Sequence, residues 1–142
     1  MAHSAIEQFI SCIEKLVPEY LAIPGDLAIS KGGASLCIIC EDGTVYGKIF
    51  GTNKHRGRDT FKVAWTKVSQ ALITGYKTND YERMVFTDQI DYHTFGISLP
   101  DLVGYKGGQP ITLRDGTKLA VGFNGFRGTS DLEIVEKGLS II

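Results

Sequence analysis

The segment that most constrains the fold runs from residue 104 to residue 130, where glycine-rich turns separate apolar runs. Two of these runs, 110–113 and 118–126, flank the pair Asp115-Gly116. An Asp-Gly pair between apolar runs predicts a β-hairpin, because a type I′ turn needs positive φ at both central positions. We expect the glycines of this segment to lie where a side chain would obstruct the backbone, a ligand or a neighbouring element. They are Gly107, Gly108, Gly122, Gly125 and Gly128.

A second hairpin is predicted nearer the amino terminus, where the runs 34–41 and 44–50 flank Asp42-Gly43. The first of these runs is apolar at consecutive positions, so we expect both of its faces to be covered. Cys37 and Cys40 lie within it. Residues three apart on a strand point to opposite faces, so we interpret the two cysteines as small buried hydrophobic residues rather than as a redox or metal pair.

Capping boxes predict helices at both ends of the chain, because a hydroxyl and a carboxylate three residues apart can satisfy each other's backbone donors. Ser4-x-x-Glu7 is expected to open the first helix, and Pro18 to end it near Val17. Ser130-x-x-Glu133 is expected to open the last helix.

Two further helices are predicted in the middle of the chain. The central one is expected to begin at Asp59 or Thr60 and to end at Gly75, with Trp65 on its buried face. A short helix is expected over 81–86, within an otherwise irregular segment.

The bulk properties fit one soluble domain over residues 1–142, with a helical amino-terminal segment (1–33) ahead of the main core (34–142). A net charge of −1 argues against a general nucleic-acid binder, and no apolar run approaches the ~20 residues needed to span a membrane. The amino terminus has no signal-peptide pattern, and three cysteines do not suggest a disulfide framework. These features favour a reducing, cytoplasmic setting.

The segment 51–58 (GTNKHRGR) is rich in basic residues and leads into the central helix. A helix amino terminus offers free N–H groups, and arginine can hold a carboxylate or phosphate through two parallel hydrogen bonds. We expect this segment to fold beside the glycine pair at 107–108 and to form one anion-binding hollow; the alternative is a solvated loop. The candidate ligand-binding residues are Arg56, Arg58, Tyr105, Lys106, Gly107, Gly108 and Arg127.

Acid–base chemistry would need titratable side chains close together. His93 follows Asp91 by two residues, and an imidazole titrates near neutral pH. The chain shows no HxxxH or HxH spacing, so we predict no metal site. The candidate catalytic residues are His55, His93, Asp91 and Asp131, each of which could instead be a surface or structural residue.

Three motifs suggest a family. Residues 64–71 (AWTKVSQA) are similar to the helix pattern A-x-x-K-A-x-x-A, and residues 107–111 (GGQPI) to G-G-x-P-I. Residues 120–125 (AVGFNG), followed by Asp131, are similar to a strand that ends in Ser-Gly. On these residues the chain resembles the haem-degrading, GlcG/HbpS-like family, which includes the carboxy-terminal domain of some cobalamin adenosyltransferases. It departs from the family at Val68, at Asn124 and in the basic segment, which replaces an R-M-D-G-A-type turn.

The resemblance implies an α+β, profilin-like fold, in which helices pack on an antiparallel sheet. It also implies homo-oligomers, dimers or larger rings, with ligand pockets near subunit contacts. Some members bind haem or iron, so haem is the candidate cofactor, although no haem-ligating residue aligns onto this chain.

Three functions are compatible with these observations. The first is a binding protein for a small acidic or planar ligand. The second is a lyase or isomerase acting on a small organic acid, with histidine and aspartate as acid and base and an arginine to stabilise charge. The third is an interaction module without a small-molecule site.

Overall fold

A computed structural model describes residues 2–99 and 101–142, which form an antiparallel sheet covered by helices. The strands follow the spatial order β2-β1-β4-β3, and every adjacent pair is antiparallel. This arrangement confirms the predicted α+β class. The helices are α1 (Ala2–Leu21), α2 (Pro24–Ser30), α3 (Lys54–Thr74), α4 (Thr78–Phe86) and α5 (Gly128–Leu139), the strands are β1 (Gly33–Cys40), β2 (Val45–Gly51), β3 (Gly108–Thr112) and β4 (Lys118–Asn124), and a 3₁₀ turn covers Tyr92–Thr94.

Both predicted hairpins are present, but their turns differ from the expected type I′. Positive φ occurs at Gly43 (89°) and Gly116 (88°) and not at the aspartates before them. Each aspartate instead accepts a hydrogen bond through Oδ1 from the backbone N–H two residues on, at 2.9 Å. Each glycine N–H donates to the carbonyl three residues earlier. The loops therefore have three residues, a type I turn followed by a left-handed glycine.

Two apolar layers cover the sheet, one on each face. On one face α1 and α5 pack through side chains such as Phe9, Ile13 and Ile134 against Val121 and Phe123. On the other face α3 packs through small residues, chiefly Ala64, Val68 and Ala71, against Cys37 and Ala120. All of β1 is buried, as its apolar run predicted, and both its cysteines are packing residues; burial raises the pKa of the Cys37 thiol to about 11.

The predicted end of α1 was wrong, because the helix continues through Pro18 to Leu21. Val17 and Tyr20 are both buried against the core, and this burial favours the helix on both sides of the proline. The predicted opening was also wrong, since α1 already includes Ala2 and Ser4 lies inside it.

The starts of α3 and α5 also differ from the prediction. The first helical residue of α3 is Lys54, because Asn53 Oδ1 accepts a hydrogen bond from Arg56 N at 3.1 Å and caps the helix. The basic segment is therefore largely the first turn of α3 rather than a loop. Trp65 is 46% exposed and not a core residue. Ser130 caps nothing, since α5 begins at Gly128. The short helix predicted over 81–86 is confirmed as part of α4.

None of the described helices is both long and apolar enough to cross a bilayer.

Candidate functional site

A cleft of about 460 Å³ lies where the end of α2, the first turns of α3, the segment before β3 and the start of α5 meet. Four of the candidate residues line it: Arg56, Tyr105, Arg127 and Asp131. The structure therefore brings the basic segment and the glycine-rich segment to one cavity. The other lining residues are Ile29, Asp59, Val63, Asn124, Phe126 and Gly128.

Arg56 is held at the edge of the cleft by the amino-terminal turn of α3. Its backbone N–H donates to the capping Asn53, and its Nη2 donates to the carbonyl oxygen of Ile29 at 3.1 Å. The capping side chain also donates to the carbonyl of Lys31 at 2.8 Å, which ties α3 to the end of α2. Arg56 Nε is buried and has no hydrogen-bond partner among the described residues. One donor of this guanidinium is thus unsatisfied, although the Nε atom itself is closed off from solvent.

Arg127 is fixed at the start of α5 by the fully buried Asp26. Asp26 Oδ1 accepts from the backbone N–H and Nε of Arg127, both at 3.0 Å, and Oδ2 accepts from Ser130 Oγ at 2.9 Å. Burial alone would raise the pKa of Asp26, but the hydrogen bonds from Arg127 and Ser130 outweigh it and the pKa is lowered. The aspartate therefore stays ionised, and Arg127, whose side chain is 48% exposed, faces the cleft.

Asp26→Ala is expected to lower the free energy of unfolding at pH 7 by about 2 kcal/mol, because a buried hydroxyl and a backbone N–H lose their acceptor. A carboxyl with a depressed folded pKa stabilises the fold above its unfolded pKa, near 4, and loses that effect as the pH falls through the folded pKa. In urea denaturation, the difference in the free energy of unfolding between Asp26→Ala and the native protein should therefore be smaller at pH 3 than at pH 7. Asp101→Ala, at an exposed position, is the control, and an equal effect of both substitutions would contradict the role of Asp26.

A buried ion pair lies beneath the cleft. Lys67, on the sheet-facing side of α3, donates through Nζ to the carbonyl of Phe123 at 2.8 Å, to Asn124 Oδ1 at 3.1 Å and to Asp131 Oδ2 at 3.2 Å. Asp131 Oδ1 accepts from the backbone N–H of Phe126 at 2.8 Å. Lys67 and Asp131 are both almost fully buried. The pair joins α3, β4 and α5.

Burial dominates the titration of both members of this pair. It raises the pKa of Asp131 to about 7, against the opposing effects of Lys67 and of the backbone N–H groups. Burial also lowers the pKa of Lys67, while Asp131 opposes the change. The Lys67 ammonium donates to three acceptors, so the pair is stabilised by hydrogen bonds as well as by the attraction of opposite charges.

The glycine pair makes room for its neighbours in the fold and does not line the cleft. A Cβ at Gly107 would lie 2.5 Å from the carbonyl oxygen of Phe123 and 3.0 Å from Lys67 Nζ. A Cβ at Gly108 would lie 2.7 Å from Thr78 Cγ2 and 2.9 Å from the carbonyl oxygen of Lys67. The expected obstruction is thus real at both glycines, and the obstructing groups belong to β4, α4 and α3.

The remaining candidates lie outside the lining of the cleft. His55 and Arg58 are exposed on the first turns of α3, and Lys106 lies beside Gly128 at the rim. His93 Nδ1 and Asp91 Oδ1 are 2.8 Å apart, both largely exposed, in the segment after α4. Within residues 2–99 and 101–142, no cluster of histidine, cysteine and carboxylate side chains is arranged to hold a metal ion.

Lys67 and Asp26 were not recognised as site residues from the sequence. The sequence did indicate a buried charge at Lys67, because this residue lies on the same helical face as Ala64, Val68 and Ala71, where a charged residue needs a partner. It gave no such indication for Asp26, since the partners of Asp26 lie 101 and 104 residues further along the chain.

Searches by sequence matched no family model and no curated protein. Solved structures match at the level of the fold. HbpS superposes with a TM-score of 0.67 and 14% identity over 100% of this chain and 89% of its own. The DUF336 protein ORFY of Klebsiella pneumoniae gives 0.70 and 16%, over 96% and 86% of the two chains. A heme complex of PduOC gives 0.69 and 14%, over 100% and 94%. The chain therefore has the fold of HbpS, of a DUF336 protein and of PduOC, as its resemblance to the GlcG/HbpS-like family implied.

Proposed function

We propose that the protein binds a small acidic or planar ligand in the cleft between α3 and α5, with haem as one candidate. The observation that carries this proposal is the meeting of Arg56 and Arg127, far apart in sequence, at one cavity. A cavity of about 460 Å³ is within the usual size range of small-molecule sites.

The hydrogen-bonding groups around the cleft support an anionic ligand. Arg56 Nε lacks a partner among the described residues, and the first turn of α5 has no side-chain cap. A carboxylate or phosphate would supply acceptors to the backbone N–H groups of α5 and, once the Arg56 side chain turns toward the cleft, to its buried Nε. Because Asp26 neutralises most of the charge of Arg127 and Asp59 also lines the cavity, Arg56 is the main electrostatic partner in this proposal.

The apolar part of the lining suits a planar body. Tyr105, which is 72% exposed, lies with Ile29, Val63 and Phe126 around the cavity. In haem, propionates would pair with the arginines. The lining residues that the structure describes include no histidine, cysteine or methionine, and among them Tyr105 is the one whose side chain resembles a known haem-iron ligand. The heme complex of PduOC, which has the same fold, supports this candidate.

The proposal also includes an oligomeric state and a cellular compartment. We expect homo-oligomers, with the ligand site near a contact between copies, as the family resemblance implies. We also expect the protein to act in the cytoplasm, and the three cysteines, all of them free, are compatible with a reducing compartment.

The first test is ligand binding by the native protein. Haemin titration is expected to give a saturable, shifted Soret band, and organic acids or phosphate are expected to raise the melting temperature. Free-haemin spectra together with a flat thermal response to every anion would contradict the proposal.

Arg56→Gln is expected to weaken anion binding at least tenfold, because a charge-assisted hydrogen bond contributes about 1.5 to 3 kcal/mol. Arg58→Gln removes the same charge two residues along the helix, at an exposed position outside the lining, and is expected to change the affinity by less than about twofold. Isothermal titration of both variants with the best anion of the screen would measure the difference. Equal losses would indicate a general charge effect rather than a site.

The alternative, a lyase or isomerase, would need an acid–base group at the ligand. His55, His93 and Asp91 lie outside the cleft, and Asp131 is held by Lys67 and by the backbone of Phe126. For this reason we propose binding rather than turnover.

A further inference from the structure

The arginine cleft adjoins two further cavities. A cavity of about 560 Å³ shares Val63 and Tyr105 with it, and a third, of about 430 Å³, shares Leu99 and Leu102 with the second. The third cavity ends at Phe86, on the last turn of α4. Because each shares lining residues with the next, the three cavities lie in a row with the arginines at one end. We name the row the trough, and its remainder, from Val63 to Phe86, the apolar arm.

The two ends of the trough differ in chemistry. Around Phe86 the lining consists of Val85, Leu99, Leu102 and a single polar residue, Ser98. Phe86 is 63% and Leu99 72% exposed. A soluble protein seldom leaves neighbouring large apolar side chains in water unless they contact a ligand or a partner.

Of the described residues that line the apolar arm, one is charged, and it is acidic. Glu82 lies in the middle cavity with its carboxylate against Gly104, where a Cβ would collide with it. A second negative charge on a ligand in this part of the trough would be repelled. The trough is thus suited to negative charge at the arginine end alone.

We propose that the cleft takes an amphiphilic monocarboxylate, with its carboxylate at Arg56 and its apolar body along the apolar arm. This inference rests on the proposed function and adds the class of ligand to it. Charge complementarity fixes the direction of the ligand, since its head and its body each fit one end of the trough.

The test is a series of saturated carboxylates titrated into the native protein below their micelle concentrations. Octanoate is expected to bind at least tenfold tighter than butyrate, because a fully buried methylene adds about fourfold and an open trough buries each only in part. Octanedioate, which has the same length and a second carboxylate, is expected to bind at least tenfold more weakly than octanoate.

Two variants test which part of the trough contacts the alkyl chain and which contacts the carboxylate. Leu99→Ser is expected to reduce the advantage of octanoate over butyrate, and Arg56→Gln to weaken both ligands by the same factor. Ile73→Ser replaces a comparably exposed side chain on α3, 55% exposed and outside the trough, and is expected to leave the advantage unchanged.

Three results would overturn the inference. If the affinities depend on Arg56 but not on the length of the alkyl chain, the protein binds anions as proposed, but its ligand is not amphiphilic. Haemin or phosphate binding without binding of any alkyl carboxylate would lead to the same conclusion. If Leu99→Ser dissociates an oligomer in analytical ultracentrifugation and leaves the chain-length dependence intact, the apolar arm is a contact between copies. A protein that binds neither carboxylates, haemin nor phosphate would contradict the proposed function itself.

Discussion

Replacement of Lys67 by methionine is expected to lower the free energy of unfolding by about 3 to 5 kcal/mol. Methionine has a similar length, so the cost arises from Asp131, which stays buried, loses its cation and must either keep an unpaired charge or take up a proton. The carbonyl of Phe123 and the side chain of Asn124 lose a donor in the same step. The measurement is urea denaturation of the native protein and the variant at pH 7.

The cost of Lys67→Met is also expected to depend on pH. In the native protein the pKa of Asp131 is already raised to about 7 by burial, and Lys67 opposes the rise; without the ammonium the pKa rises further. The unfolded carboxyl loses its proton near pH 4. A carboxyl with a raised folded pKa stabilises the fold most at low pH and loses that effect as the pH increases through the folded pKa. The variant should therefore be least stable, relative to the native protein, at about pH 8.5 and less impaired at pH 5.5.

Lys62→Met is the matched control, since it makes the same change at an exposed position of α3. We expect a change within about 0.5 kcal/mol. The double variant Lys67→Met/Asp131→Asn should lose less than the sum of the two single variants, because each single change leaves one buried group without its partner. Additive losses, or a Lys67→Met protein as stable as Lys62→Met, would show that the pair does not stabilise the fold.

The sheet was predictable because its signals are local. Each hairpin is encoded within about 20 residues, by an Asp-Gly pair and the apolar runs around it. Even the turn type, which was predicted wrongly, depends on one nearby contact: the aspartate side chain takes the N–H two residues on and keeps its own φ negative. The prediction of the strands does not depend on the type of turn that joins them.

Helix ends were less predictable because distant residues determine them. Ser130 has the spacing of a capping residue, yet its hydroxyl donates to Asp26, 104 residues away. Asn53 was not considered as a cap, and its other hydrogen bond, to the carbonyl of Lys31, belongs to the tertiary structure. A capping pattern competes with such contacts, and a single sequence does not show them.

The site was predictable in part for the same reason. Clustered positive charge at Arg56 and a glycine turn at Arg127 are visible in the sequence, and the structure places both at one cavity. The partnership of Lys67 with Asp131 spans 64 residues and needs the fold to be known. The glycine pair was interpreted as a ligand platform, but its lack of side chains accommodates the carbonyl of Phe123, Thr78 and Lys67.

Gly122→Ala is expected to cost about 3 kcal/mol, at the upper end of the range for an overpacked core. A Cβ at this position would lie 2.8 Å from Val68 N and closer still to the carbonyl oxygen of Ala64. Both are backbone atoms of α3, which cannot rotate away as a side chain can. The helix would have to shift from the sheet as a unit, which would loosen its packing against Cys37 and Ala120.

Gly47→Ala is a control matched by register, because Gly47 and Gly122 lie opposite Cys37 on its two neighbouring strands. A Cβ at Gly47 would lie 2.9 Å from the ring of Phe61, which is a partly exposed side chain and can turn aside. We expect Gly47→Ala to change the free energy of unfolding by less than about 1 kcal/mol, since alanine also restricts the unfolded chain. The change from glycine to alanine is the same in both variants, so the difference between them reflects the close approach of α3 to β4 together with the central position of β4, since β2 is an edge strand. If urea denaturation gave equal values for both, that approach would not limit the side chain at Gly122.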